Sequence, residues 1–142
     1  MGYTHYWNGI ISSKTSSLLL KDITHLLTTT PIKIRGPLGT GQPIITPEQI
    51  SLNGEAEGEG SHESLRLSID KDIPFNFCKT ARKPYDTVVC AILLRCLYYN
   101  PPPAFEVSSD GSWEEWTGGR ELYSKAFGVE ATMPETMTPS WN

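Results

Sequence analysis

Between Cys78 and Asp86 the chain reads CKTARKPYD, which sets Lys79, Arg82 and Lys83 directly before Pro84 and a run of apolar residues. Proline suits the first helical position, where its missing N–H leaves no bond unmade, and it biases Lys83 toward an extended backbone. The free amides of a helix start lie at the positive end of its dipole. Three cations beside them predict a site for phosphate or carboxylate. The competing reading has Lys79 and Lys83 solvated and Arg82 paired with a nearby acid. Asp86 is expected to cap a backbone N–H in the first turn, with service as a base or an orienting partner as its functional alternative. Tyr85 offers a hydroxyl to a ligand or simply packs. Cys78, beside Lys79, is a nucleophile if its pKa is lowered and a core residue if it is buried.

His5 is the second candidate. In THYW, Tyr3, His5 and Trp7 share one strand face, while Thr4 and Tyr6 share the other. A histidine flanked by aromatics can hydrogen-bond a ligand or exchange a proton near neutral pH. Ser109 and Asp110, in VSSDGSW, belong first to turn chemistry, and such a loop at a strand end can also line a site. Sharper signatures are absent. GPLGTGQP lacks the Lys-Ser/Thr that completes a phosphate-binding loop. The three His and three Cys have no paired zinc spacing. No metal and no cofactor is expected.

These residues need a scaffold. Residues 3–7 read as a strand, 16–30 as an amphipathic helix with Leu19, Ile23, Leu26 and Leu27 on one face, and 32–37 as a short strand. A further strand ends at the turn signal Asn53–Gly54. EAEGEGSHE reads as a solvated loop, and SLRLSID as a half-buried strand. From Pro84 to Tyr99 apolar residues occupy nearly every face, which predicts a buried helix at 84–99, where Cys90 and Cys96 are core and Arg95 forms a structural ion pair. AFEVSS supplies the last strand. Ser112 and Glu115 stand at capping-box spacing before a final helix that closes at Gly128 and that Gly118–Gly119 divides or weakens. The order predicts a single α+β domain over residues 1–128, with a mixed or antiparallel sheet of about five strands, three helices, and a C-terminal arm or flexible tail over 129–142.

The chain has 142 residues and a net charge of −4, which fits one core and argues against sequence-independent binding to duplex nucleic acid. Three cysteines and no signal peptide point to free thiols in a reducing, cytoplasmic setting. No apolar run approaches the ~20 residues that span a bilayer. Homodimerisation is compatible with a chain of this size.

MGYTHYW, FCKTARKPYD, SSDGSWEEW and GRELYSKAFG, together with Asn53–Gly54 ahead of His62–Glu63, resemble a family of small proteins found mainly in bacteria and their phages. The resemblance runs from Met1 to about Gly128 and carries no assigned activity. By analogy with phage proteins, it makes sequestration of a host nucleotide signal conceivable. Three functions are expected to compete. The first is a domain that binds a small anionic ligand, a nucleotide or a phosphorylated or carboxylated metabolite, through Lys79, Arg82, Lys83, Tyr85, His5, Ser109 and Asp110. The second is a metal-independent lyase, isomerase or hydrolase that uses His5, Lys79, Tyr85 or Asp86. The third is an interaction module built on Trp113, Trp116, Tyr123 and the tail, although Trp116 and Tyr123 also suit a core.

Overall fold

The computed structural model describes residues 2–137. Seven strands and three α-helices form an α+β fold with two antiparallel sheets. The first sheet has β1 (Thr4–Gly9) at its centre, between β6 (Ile73–Lys79) and β7 (Phe105–Ser109). In the second, β4 (Gln49–Gly54) pairs with β2 (Ile34–Arg35), β3 (Ile44–Ile45) and β5 (Leu65–Ser68).

Helix α2 (Asp86–Tyr99) is the hub: Val88–Leu94 and Cys96 are all buried. It packs against α1 (Ser16–Thr29), α3 (Thr117–Phe127) and β7. Its apolar circumference requires cover on every side, and the two flanking helices and the first sheet provide it. Helix α3 comes unusually close. A Cβ on Gly119 would stand 2.5 Å from Cys90 Cβ, so only glycine fits there. The glycine pair does not divide the helix, since the break falls earlier, between a 3-10 turn at Glu114–Trp116 and α3 itself, and Gly119 admits α3 to the surface of α2.

Several expectations are corrected. Helix α2 begins at Asp86, because Pro84 and Tyr85 form the turn that leads into it, with the Asp86 N–H bonded to Lys83 O at 2.9 Å. Two strands escaped the sequence reading, β3 and β6. In β6, Ile73 and Cys78 point inward while Phe75 and Phe77 face outward, at 61% and 48% exposure. Asn53–Gly54 is no hairpin turn. The strand runs through it, and the buried Asn53 amide bonds His62 O, Pro37 O and the His62 N–H, closing the acidic loop. Residues 129–137 fold back on the domain as an arm with Met137 buried. The rest of the predicted tail, 138–142, lies outside the described residues.

Candidate functional site

The registers of the first sheet assemble the site. Antiparallel pairing sets His5 opposite Cys78 on β6 and opposite Ser109 on β7. His5 shares its strand face with Trp7 and so points into the core, where it is wholly buried beneath the start of α2. Its two ring nitrogens meet Ser109 Oγ at 2.8 Å (Nδ1) and Asp86 Oδ1 at 2.6 Å (Nε2).

The direction of each proton follows from counting donors and acceptors. A serine hydroxyl has one proton and two lone pairs. The Ser109 lone pairs accept from Gly111 N–H at 2.9 Å and Trp116 Nε1–H at 3.1 Å, so its proton goes to His5 Nδ1. His5 is then the neutral tautomer that carries hydrogen on Nε2, and it donates to Asp86. Asp86 Oδ1 also accepts from the Thr80 hydroxyl at 2.5 Å, and Oδ2 from the Cys90 thiol at 3.7 Å. The chain Ser109–His5–Asp86 is thus polarised in one sense, toward the carboxylate. Burial opposes the charge on Asp86, but the His5 hydrogen bond, the attraction of the His5 ring when it is protonated, and the hydrogen bonds from Thr80 and Cys90 outweigh it and hold the carboxyl below its ordinary range. Burial, then the Asp86 charge, pushes the Cys90 thiol well up and keeps it a donor.

Asp86 is therefore not the backbone cap expected. It stands in the first turn of α2 and makes no cap hydrogen bond, because its carboxylate turns inward to His5. Cys78 is no nucleophile: burial pushes its thiol up to about 12, and it donates to Glu63 O at 3.4 Å. Tyr85 is corrected as a ligand contact, since it is fully buried with its hydroxyl committed to Glu63 O at 2.5 Å. Asp110 is exposed but engaged, accepting from Thr4 N–H at 3.1 Å and Tyr6 hydroxyl at 2.8 Å.

The cations lie on the outer side. Thr80–Lys83 is a tight turn in which Lys83 N–H bonds Thr80 O at 3.0 Å, and both central residues have positive φ, Ala81 at 52° and Arg82 at 59°. That backbone suits glycine or asparagine, and holding two other side chains in it is strained. It places Arg82 with its guanidinium 3.9 Å above the Tyr3 ring and 2.9 Å from Glu115 Oε2. Glu115 is also the capping-box acid, taking Ser112 N–H at 3.0 Å. Arg82 thus has the nearby acid that the competing reading supplied. Tyr3 in turn packs T-shaped on His5, with centroids 5.1 Å apart. Its own hydroxyl is buried with no partner. Lys79 lies along Gly2, and among the described residues neither it nor Lys83 forms an ion pair.

The site therefore joins His5, Asp86 and Ser109 directly, with Arg82 one ring away, and leaves Tyr85 and Cys78 in the core. Tyr3, Thr80, Cys90, Gly111 and Trp116 complete it, and sequence reading assigned none of them to it. One usable signal existed: Asp86 and Cys90 are four apart on a helix and share a face. His5, Asp86 and Cys90 also form a cluster of metal-ligating types, with their ligand atoms within 4.8 Å of one another. A metal on Nε2 would move the proton to Nδ1 and give Ser109 Oγ three N–H donors for two lone pairs. The donor set fits a hydrogen-bonded relay better than a metal centre.

Trp116 and Tyr123, expected either in an interaction surface or in the core, are both buried, and Arg95 forms the expected structural ion pair, with Asp22 at 2.8 Å. No helix among the described residues is long and apolar enough to cross a membrane. No family model, no curated protein and no solved structure matches the chain.

Proposed function

We propose that the protein is a small hydrolase of anionic esters, with Ser109 as nucleophile, His5 as its base and Asp86 as the carboxylate that carries the resulting imidazolium. The observation behind this reading is the one-way polarity of the relay. Ser109 already gives its proton to Nδ1, and Nε2–H already faces a carboxylate, which are the roles a serine nucleophile needs. Attack on a carbonyl would pass the hydroxyl proton to His5 Nδ1 while an Oγ electron pair forms the bond to carbon, so Oγ goes from hydroxyl to ester oxygen with two lone pairs throughout. The Gly111 and Trp116 N–H groups, 2.9 Å and 3.1 Å from Oγ, would stand next to the new oxyanion and could turn to it as its charge develops. His5 is wholly buried while Ser109 is half-buried at the sheet end, so substrate would enter beside Ser109 Oγ. There the leaving alkoxide would take the proton from Nδ1. A water reaching the same place would give a proton to Nδ1, attack the acyl carbon and free the acid as Oγ regains its proton. Arg82, held beside the same loop by Glu115, is the cation that favours an anionic substrate.

A fluorophosphonate probe tests this directly. The expected result is a single adduct on Ser109, lost in His5→Gln with the fold intact by circular dichroism, and turnover of carboxylate-bearing aryl esters that falls in Arg82→Ala. Absence of both the adduct and turnover sinks the hydrolase.

The saturation of Ser109 Oγ by two N–H donors favours a second reading: the relay is a lock within the core, and the domain binds a small anion at Arg82 without transforming it. Inorganic phosphate, nucleotides and dicarboxylates in a thermal-shift screen separate the two. Binding that needs Arg82 but survives His5→Gln supports this second reading. No shift with any anion removes it.

A further inference from the structure

A cavity remote from the relay has chemistry of its own. It occupies about 340 Å³ between the C-terminal half of α2, the Pro101–Pro102 turn, Tyr123 of α3 and the returning arm. That volume lies within the range of small-molecule pockets, roughly 300–1,000 Å³. Its walls are largely apolar, with Leu94, Leu97, Met133 and Pro134 among them. Tyr98 and Val129, which also line it, are 61% and 54% exposed. Two of the large side chains that the fold leaves uncovered thus border one concavity, which packing alone does not explain.

The polar groups at its rim are of one kind. Glu130, Thr132 and Glu135 line the cavity, and no lysine, arginine or histidine does. Arg95 approaches from behind, stacking on Tyr98 at 4.2 Å, but it lies outside the lining and is neutralised by Asp22. Among the described residues, the backbone of residues 129–133 makes no hydrogen bond to the rest of the chain, so its carbonyls are free acceptors. An ammonium group has three donors and no acceptor. It is the complement of this rim, whereas a carboxylate would meet two like charges and no cation.

We infer that the cavity under the C-terminal arm binds a small organic cation, a primary amine with an apolar or aromatic body, its ammonium at Glu130 and Glu135 and its body against Leu94, Leu97 and Tyr98. The inference is independent of the hydrolase reading, since none of these residues touches the His5 relay.

The test uses three probes with one skeleton and different heads: 4-phenylbutylamine, 4-phenylbutanol and 4-phenylbutyrate. Each is titrated into the 15N-labelled chain and followed by amide shifts. The amine is expected to bind about two- to tenfold more tightly than the alcohol, the range that a pair of exposed ionic contacts supports, and the carboxylate most weakly. Shifts should concentrate at residues 94–102 and 129–135. Glu130→Gln with Glu135→Gln should erase the amine's advantage and leave the alcohol unchanged. Thr132→Trp, an exposed position on the lining, should block both without lowering the melting temperature. Equal affinity for all three heads, preference for the carboxylate, or shifts elsewhere would overturn the assignment.

Discussion

His5 Nε2 lies 2.6 Å from Asp86 Oδ1 across 81 residues of sequence, and the proton between them belongs to the histidine. That assignment depends on Ser109, whose oxygen has no lone pair left to accept a bond from Nδ1–H.

The tautomer is directly observable. In a long-range 1H–15N correlation of the imidazole, His5 is expected to show a protonated Nε2 and a bare Nδ1 at neutral pH. A protonated Nδ1 would falsify the donor count and with it the polarity of the relay. Removing the Trp116 donor is a second check, because Trp116→Phe frees one lone pair on Ser109 and should leave the tautomer unpinned.

Asp86 should leave an acid-side signature in stability. Its folded pKa lies below the ordinary carboxylate value, so its contribution is complete above the unfolded pKa of about 4 and disappears as pH falls through the lower folded value. Asp86→Asn replaces an acceptor by a donor next to the Cys90 thiol and should cost about 1–3 kcal/mol at neutral pH. Urea unfolding between neutral and strongly acid pH measures the gap between wild type and variant. It should narrow toward acid; a gap that is constant or widens would mean that the carboxylate charge is not what the site stabilises.

The parts of this arrangement that were legible in the sequence are those set by local rules. The apolar circumference of 88–97 announced a buried helix, Ser112 and Glu115 formed the capping box that their spacing promised, and the alternation in residues 3–7 put His5 on one face with Tyr3 and Trp7, the face that the fold turns inward. The rest depends on register between distant strands, which spacing does not carry. Ser109 meets His5 only because β1 and β7 pair as they do. Strand β6 was hidden because Pro74 and two outward phenylalanines erase the expected alternation, a pattern consistent with the register irregularity where it passes β1. Asp86 was misread for a related reason. A carboxylate in a first helical turn has a standard local partner, and only the fold supplies the stronger one behind it.

Adjacent glycines at the start of α3 should respond very differently to one methyl group. At Gly119 a Cβ meets Cys90 Cβ at 2.5 Å and Thr87 O at 3.0 Å, inside the packed contact between helices. Gly119→Ala should cost about 1–3 kcal/mol and shift the His5 and Asp86 resonances through Cys90. At exposed Gly118 the nearest obstacle is the Thr87 methyl at 2.7 Å, a side-chain end with room to turn. There the gain in helix propensity, up to ~1 kcal/mol, should offset most of the contact. Equal losses at both positions would contradict the close approach of α3 to α2.

The strained turn gives the most direct test of whether Arg82 is positioned for function. Ala81 has φ of 52° and a side chain that makes no hydrogen bond, so glycine can adopt its backbone without the Cβ penalty. Relief of about 1–2 kcal/mol of strain is partly offset by about 0.5–1 kcal/mol of extra chain entropy in the unfolded state, so Ala81→Gly should raise stability slightly, by up to ~1 kcal/mol. Chemical denaturation measures that gain. If the stiffness of the turn is what holds Arg82 over Tyr3, the same variant should lose turnover of anionic esters, or anion affinity, while its stability rises. Unchanged activity in a more stable protein would mean that the contacts to Tyr3 and Glu115 suffice to place the guanidinium and that the backbone strain serves no purpose at this site.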